Sequence, residues 1–177
     1  VGAIKHVMSG VNPQGCQVYS FKSPSAEDLD HDYLWRCQKC LPNRGHIGIF
    51  NRSYYEETLV VRVHPEYLAK QKIPPELVGK DIWQDRFHDI RSFERYLTNN
   101  GVVICKFFLH VSKKEQKKRI KKLETDGLAG PDDWDHYERY DKFTRVSERA
   151  LRRTDSAGAP WHVVEATEAD VVGPAVA

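Results

Sequence analysis

Residues 102–109 read Val-Val-Ile-Cys-Lys-Phe-Phe-Leu, and Lys106 is the one charged side chain in the run. A short apolar run that follows Asn99-Asn100-Gly101 is a strand, and its lack of alternation means that both faces are covered. A strand covered on both faces sits inside a sheet with helices above and below it, and its neighbours are parallel. This places residues 102–109 centrally and predicts an α/β fold with a mainly parallel sheet. The rest of the chain agrees. Apolar runs at 18–21, 47–50 and 161–164 alternate with segments of helical periodicity, with no internal repeat and no low-complexity tract.

The helical segments have recognisable ends. Residues 3–11 read as the body of a helix, and Asn12-Pro13-Gln14-Gly15 as a turn. Ser23-Pro24-Ser25 opens a helix with Glu27, Asp28 and Asp30 near its positive end, and Pro42-Asn43-Arg44-Gly45 stops it. A further helix is expected from Tyr54 to His64, followed by a proline-containing connection over 66–79. Ile82, Trp83, Phe87, Ile90, Phe93 and Leu97 recur at three- and four-residue steps, which predicts a helix over 81–96. Residues 112–123 form a very basic helix. A weak link at 127–131 leads to a helix over 132–153, and no pattern is visible after Thr167.

One domain over 1–177 is expected from the length. The net charge is +2, from 27 Lys and Arg against 25 Asp and Glu, so no strongly basic tail is present. A 40% hydrophobic content argues against disorder. No apolar run approaches the ~20 residues needed to span a bilayer, so no membrane association is expected. Four scattered cysteines do not make a disulfide scaffold, and a reducing cytoplasm is the default. Cys37-Gln38-Lys39-Cys40 is a lone pair inside a helix, and structural zinc needs four ligands, so these thiols are read as packing residues. The histidines and the four tryptophans are likewise read as core or surface residues.

Chemistry concentrates where apolar strands end, which is where α/β sheets place ligands. Lys22 follows the first such run, and Asn51-Arg52-Ser53 follows the second. Glu56, Glu57 and Arg62 lie just beyond, and Asp30, His31, Asp32 and Arg36 lie on the helix before. Arginine suits phosphate because its planar fork makes two parallel hydrogen bonds, and neighbouring carboxylates hold a metal or orient the arginine. Taken singly, each of these charges is also a candidate surface ion pair. The basic helix, with Lys113, Lys114, Lys117, Lys118, Arg119, Lys121 and Lys122, is either a solvated face or a wall for a polyanion. No nucleic-acid-binding motif accompanies it, and nucleic acid is not an expected partner.

Four strings carry a family resemblance: DHDYLWR at 30–36, IGIFNRSYYEETLVVRVHPE at 47–66, FERYLTNNGVVICKFFLHVSKKEQKKR at 93–119 and APWHVVEA at 159–166. In this order they resemble the family-2 polyphosphate kinases, closest to the polyphosphate:AMP and polyphosphate:ADP phosphotransferases. The resemblance implies a P-loop kinase-like, three-layer α/β/α fold. It implies transfer of a terminal phosphoryl group between inorganic polyphosphate and a nucleoside mono- or diphosphate, with Mg2+ as cofactor and AMP, ADP or ATP as the nucleotide. It also implies a homo-oligomer for the full-length form.

By the same resemblance Asn51, Arg52 and Arg119 are catalytic. Lys22, Asp30, His31, Asp32, Arg36, Glu56, Arg62, Lys117 and Lys118 bind substrate, and Glu57 is linked to the metal. The basic helix and shortened lid occupy 112–153. The family's phosphate-binding loop, of the form GxDxxGKxGxI, and the strand before it have no counterpart here, since the chain starts at Val1-Gly2-Ala3-Ile4. The expectation is therefore a fold lacking its first strand and loop, a fragment with impaired turnover. The rival expectation is a remnant that binds polyphosphate without catalysis.

Overall fold

The computed structural model describes Ile4 and residues 8–166. The helix expected over 3–11 falls mostly outside the described residues, as does the segment after 166; Met8–Gly10 is a single 3-10 turn. Both pairings between strands among the described residues are parallel. β1 (Cys16–Ser20) pairs with β2 (Ile47–Asn51) in the register Cys16–Ile47 to Ser20–Asn51. β3 (Lys106–His110) pairs with β4 (Trp161–Glu165) from Lys106–Trp161 to His110–Glu165.

These make two separate two-stranded sheets among the described residues. The expected central strand over 102–109 is thus shorter, and β4 is its one hydrogen-bonded neighbour there. Pairing starts at Lys106, whose N–H donates to the carbonyl of Pro160 at 3.3 Å, while Val102 N–H turns back to close the preceding helix on Leu97 O at 3.1 Å.

The helices also differ in detail from expectation. The segment after Ser25 is two short turns, α1 (Ala26–Leu29) and α2 (Trp35–Gln38). Ser25 and Asp28 form a capping box at the start of α1, and Asp32 breaks the run by accepting from Leu34 N–H at 2.9 Å. The helix expected from Tyr54 becomes a 3-10 turn, Tyr54–Glu57, and a short α3 (Val60–Val63), a sequence rich in β-branched residues. The connection after it holds two more 3-10 turns, Pro65–Lys70 and Pro75–Leu77.

The long amphipathic pattern is α4 (Ile82–Asn99), which buries Ile82, Phe87, Ile90, Glu94 and Leu97. The basic helix is α5 (Lys113–Thr125). The helix expected over 132–153 breaks at Arg139 into α6 (Pro131–Glu138) and α7 (Tyr140–Thr154). Among the described residues no helix is long and apolar enough to cross a membrane.

The core gathers Cys37, Tyr54, Tyr55 and Ile90, with Phe21, Phe50, Phe93 and Trp161 packed around them. Burial pushes the Cys37 thiol up to about 12, so it behaves as a packing group. A polar knot lies beside this cluster. Glu94, 1% exposed, accepts on one oxygen from the hydroxyls of Tyr54 (3.0 Å) and Tyr55 (2.8 Å). Its other oxygen accepts from Lys106 Nζ at 2.7 Å. Lys106, 7% exposed, also donates to Tyr55 Oη at 3.0 Å and to the carbonyl of Thr154 at 2.9 Å, so all three ammonium protons are used. Thr154 Oγ1 in turn accepts from Trp161 Nε1 at 2.9 Å. One network therefore ties α4, both members of the second strand pair, the end of α7 and the turn that follows the first strand pair.

The basic helix depends on its first turn, where Ser112 Oγ accepts from Glu115 N–H at 3.3 Å. Ser112→Ala is expected to cost about 1 kcal/mol, the usual value of an N-cap, read as a lower urea midpoint with an unchanged slope.

Candidate functional site

The carboxyl ends of β1 and β2 lie side by side, with Ser20 opposite Asn51. The Asn51 amide donates to Ser20 Oγ at 3.3 Å, and Phe21 N–H continues the ladder to Asn51 O at 3.1 Å. The next residue turns sharply. Arg52 has φ of 61°, in the left-handed region that a branched or long side chain enters at a cost. Ser53 then caps the 3-10 turn by accepting from Tyr55 N–H at 3.3 Å. Strain of this kind persists where surrounding contacts fix it, here the two tyrosines buried against Glu94.

Arg36 reaches the same rim from α2. Its guanidinium donates to Lys22 O at 2.7 Å, stacks over the Phe21 ring with 5.1 Å to the centroid, and lies 4.0 Å from Asp28. Glu56 lies 3.8 Å from Arg52 Nη1. Burial raises its pKa, and the charges of Arg52 and Arg36 pull it back. Two guanidinium groups, a side-chain amide and one carboxylate thus share one strand-end rim. Lys22 contributes its backbone carbonyl, and its side chain is exposed.

Arg119 stands at the matching ends of β3 and β4. It donates to the carbonyl of Ala166 and pairs with Glu115 at 3.0 Å, while Ala166 N–H continues the second ladder to His110 O at 2.8 Å. It lines a cavity of about 630 Å³ under α5, α6 and α7, walled largely by Phe108, Leu109, Ile120, Phe143 and Val163. His136 of α6 lines the same cavity. Burial, and then the charge of Arg52, hold its imidazole below the ordinary histidine value. His136 and Arg119 thus share one cavity. Sequence reading missed it, because a lone histidine on an amphipathic helix carries no mark of what faces it.

Other expected residues stand apart from this rim. Asp30 pairs with Lys72, His31 stacks on Trp35 with ring centroids 3.9 Å apart, and Asp32 serves the turn before α2. Arg62 places its guanidinium 5.7 Å from the ring centroids of both Trp83 and Phe87. Lys117 sits 5.8 Å from the Tyr137 ring centroid, and Lys118 pairs with Glu115 at 3.8 Å. Lys114, Lys117, Lys118, Lys121 and Lys122 are all exposed along α5.

Glu57 is 5% exposed, with Arg86 Nε at 3.2 Å from one oxygen and Gln71 Nε2 at 2.8 Å from the other. Glu57 Oε1 makes no hydrogen bond despite its nearness to Arg86, so this buried carboxylate keeps acceptor capacity. Phosphoryl transfer uses a divalent cation to bridge phosphate oxygens. Among the described residues no group of three or more His, Cys, Asp or Glu side chains could hold one.

Parallel strands in an α/β frame, with arginines at their carboxyl ends, are the arrangement in which α/β sheets hold ligands. The family model described as Polyphosphate kinase 2 (PPK2) matches residues 1–172. The chain belongs to the polyphosphate kinase 2 family. It is 48% identical over 172 residues to an ADP-polyphosphate phosphotransferase of Rhodopseudomonas palustris, covering 94% of this chain and 60% of that protein. It is 39% identical over 175 residues to an AMP/ADP-polyphosphate phosphotransferase of Meiothermus ruber, again with 94% and 60% covered. Among solved structures, polyphosphate kinase 2 from Arthrobacter aurescens superposes with a TM-score of 0.88 at 34% identity, covering 99% of this chain and 59% of that one. The chain spans about 60% of the length of these curated relatives.

Proposed function

We propose that this protein moves a terminal phosphoryl group between inorganic polyphosphate and a nucleoside mono- or diphosphate, with AMP and ADP as acceptors. The observation that carries this reading is the pair Arg36 and Arg52 on one strand-end rim, both acting on Glu56. Guanidinium forks match phosphate oxygens two at a time, and transfer between phosphates is governed by positioning and charge neutralisation. Asn51 offers a neutral donor on the same rim, and Arg119 a third cation at the ends of the second strand pair. The exposed lysines of α5 give a long polyanion somewhere to lie. The names of the relatives support the substrate classes, polyphosphate and adenine nucleotides. Magnesium is the proposed cation, supplied with the phosphates.

The test has two readouts. Calorimetric titration with long-chain polyphosphate is expected to show binding that weakens about tenfold or more between ~50 and ~200 mM salt, as counterion release requires. Incubation of the protein with polyphosphate, Mg2+ and AMP or ADP, followed by chromatography, is expected to yield ADP or ATP. Binding indifferent to salt removes the phosphate rim. Salt-sensitive binding with no product from AMP, ADP or GDP overturns the transfer reaction and leaves polyphosphate capture.

A further inference from the structure

The turn between α7 and β4 packs against α4 at the amino ends of β3 and β4. Ala159 N–H donates to Ser156 O at 3.1 Å and closes the turn, while a Cβ at Gly158 would meet Thr98 Oγ1 at 3.4 Å. Between the turn and the helix lies a cavity of about 430 Å³, a volume typical of small-molecule sites. It shares no lining residue with the cavity at Arg119. Arg119 and Ala166 mark the opposite, carboxyl ends of the same two strands. Each strand takes four steps of ~3.3 Å between its ends, so the two poles are about 13 Å apart.

His88, Arg91 and Arg95 all line this cavity, spaced by three and four residues along one face of α4. Both arginines are exposed, and neither has an ion pair among the described residues. Like charges four residues apart on a helix repel, so this face is held at a cost. The nearby acids do not offset it. Glu94 also lines the cavity, but its oxygens are taken by Tyr54, Tyr55 and Lys106. Asp155, just before the turn, accepts from Trp161 N–H at 2.9 Å.

We infer that this cavity is a second anion site, which takes a phosphate group and stands apart from the strand-end rim. Two guanidinium forks and an imidazole N–H donate to phosphate oxygens. The hydroxyls of Ser92 and Ser156, on opposite walls, add neutral donors. Thr98 already donates to Arg95 O at 3.0 Å and serves the helix end. The site does not depend on phosphoryl transfer. Free orthophosphate and one unit of a condensed chain present the same oxygens to it.

The amide resonances of Ser156 and Gly158 report on the cavity directly. Titration with sodium orthophosphate in one series and tripolyphosphate in another, at constant low ionic strength, is expected to shift them saturably. A response to orthophosphate means that a single phosphate group suffices, and a response to tripolyphosphate alone assigns the site to a linked chain. A response to neither overturns the second site. Arg91→Gln combined with Arg95→Gln is expected to weaken the affinity about tenfold or more, the scale of lost hydrogen bonds to a charged group. Unchanged affinity in that variant also overturns it. Should the double variant fail to fold by circular dichroism, Arg95→Lys decides: it keeps the charge, loses the fork and is expected to bind more weakly, and equal binding counts against the site. Arg52→Gly is expected to leave the Ser156 and Gly158 response in place. A response that disappears with Arg52 belongs to the rim and refutes a separate site, while an intact response with no binding at the rim refutes only the proposed transfer site.

Discussion

Glu94→Leu is expected to lower the unfolding free energy by about 3–5 kcal/mol, because it leaves the buried Lys106 ammonium without its counter-ion. Net stabilities of single domains are about 5–15 kcal/mol, so the variant stands at the edge of folding. Lys106→Met is expected to be comparably damaging. It strands a carboxylate that then has the hydroxyls of Tyr54 and Tyr55 as its described donors. The double variant Glu94→Leu with Lys106→Met removes both charges at once. It is expected to cost far less than the sum of the singles, since pairs replaced by apolar groups are often near neutral. Urea melts of the four proteins measure the cycle. Additive losses mean that the two charges do not depend on each other, contrary to the 2.7 Å contact. The prediction reaches function because Tyr54 and Tyr55 follow immediately after Asn51-Arg52-Ser53, so the same bonds set the rim.

Arg52→Gly is expected to separate stability from binding. Glycine enters the left-handed region freely, and removing about 1–2 kcal/mol of local strain offsets the ~0.5–1 kcal/mol of chain entropy that glycine costs. Thermal stability should therefore stay within about 1 kcal/mol of the starting protein. Polyphosphate affinity should fall by about 10- to 100-fold, the usual worth of hydrogen bonds to a charged group. Arg52→Lys keeps the charge and loses the fork, and is expected to lie between the two. An arginine retained at φ of 61° when glycine fits better is one kept for what its side chain does. Unchanged affinity in Arg52→Gly would remove Arg52 from the site.

Much of the fold can be read from local signals. The three- and four-residue spacing of Ile82, Phe87, Ile90 and Leu97 is α4, and the apolar runs are the strands, with each end displaced by a residue or two. The breaks inside helices were less legible. Asp32 and Arg139 stop helices through side-chain contacts and dihedral angles that periodicity does not encode. Reading 102–109 as buried on both faces also overreached, since Val103 is 88% exposed.

The site divides the same way. Asn51, Arg52, Glu56 and Arg36 were visible because strand ends collect ligand-binding groups. The pairing of Glu57 with Arg86 was not legible, because the two are 29 positions apart (86 − 57) and nothing local announces it. His136 was invisible for the same reason: its surroundings are supplied by other elements.

Glu56 carries a consequence for selectivity. A carboxylate already resting near Arg52 acts as a built-in competitor, and any incoming anion must outbid it. Chloride or a single small anion gains one weak contact and leaves the resting pair in place. A chain of linked phosphates engages several cations at once, so its later contacts are intramolecular and their combined hold exceeds what one carboxylate opposes. On the proposed reading, the rim would discriminate by length of the polyanion, with no need for a pocket shaped to its end.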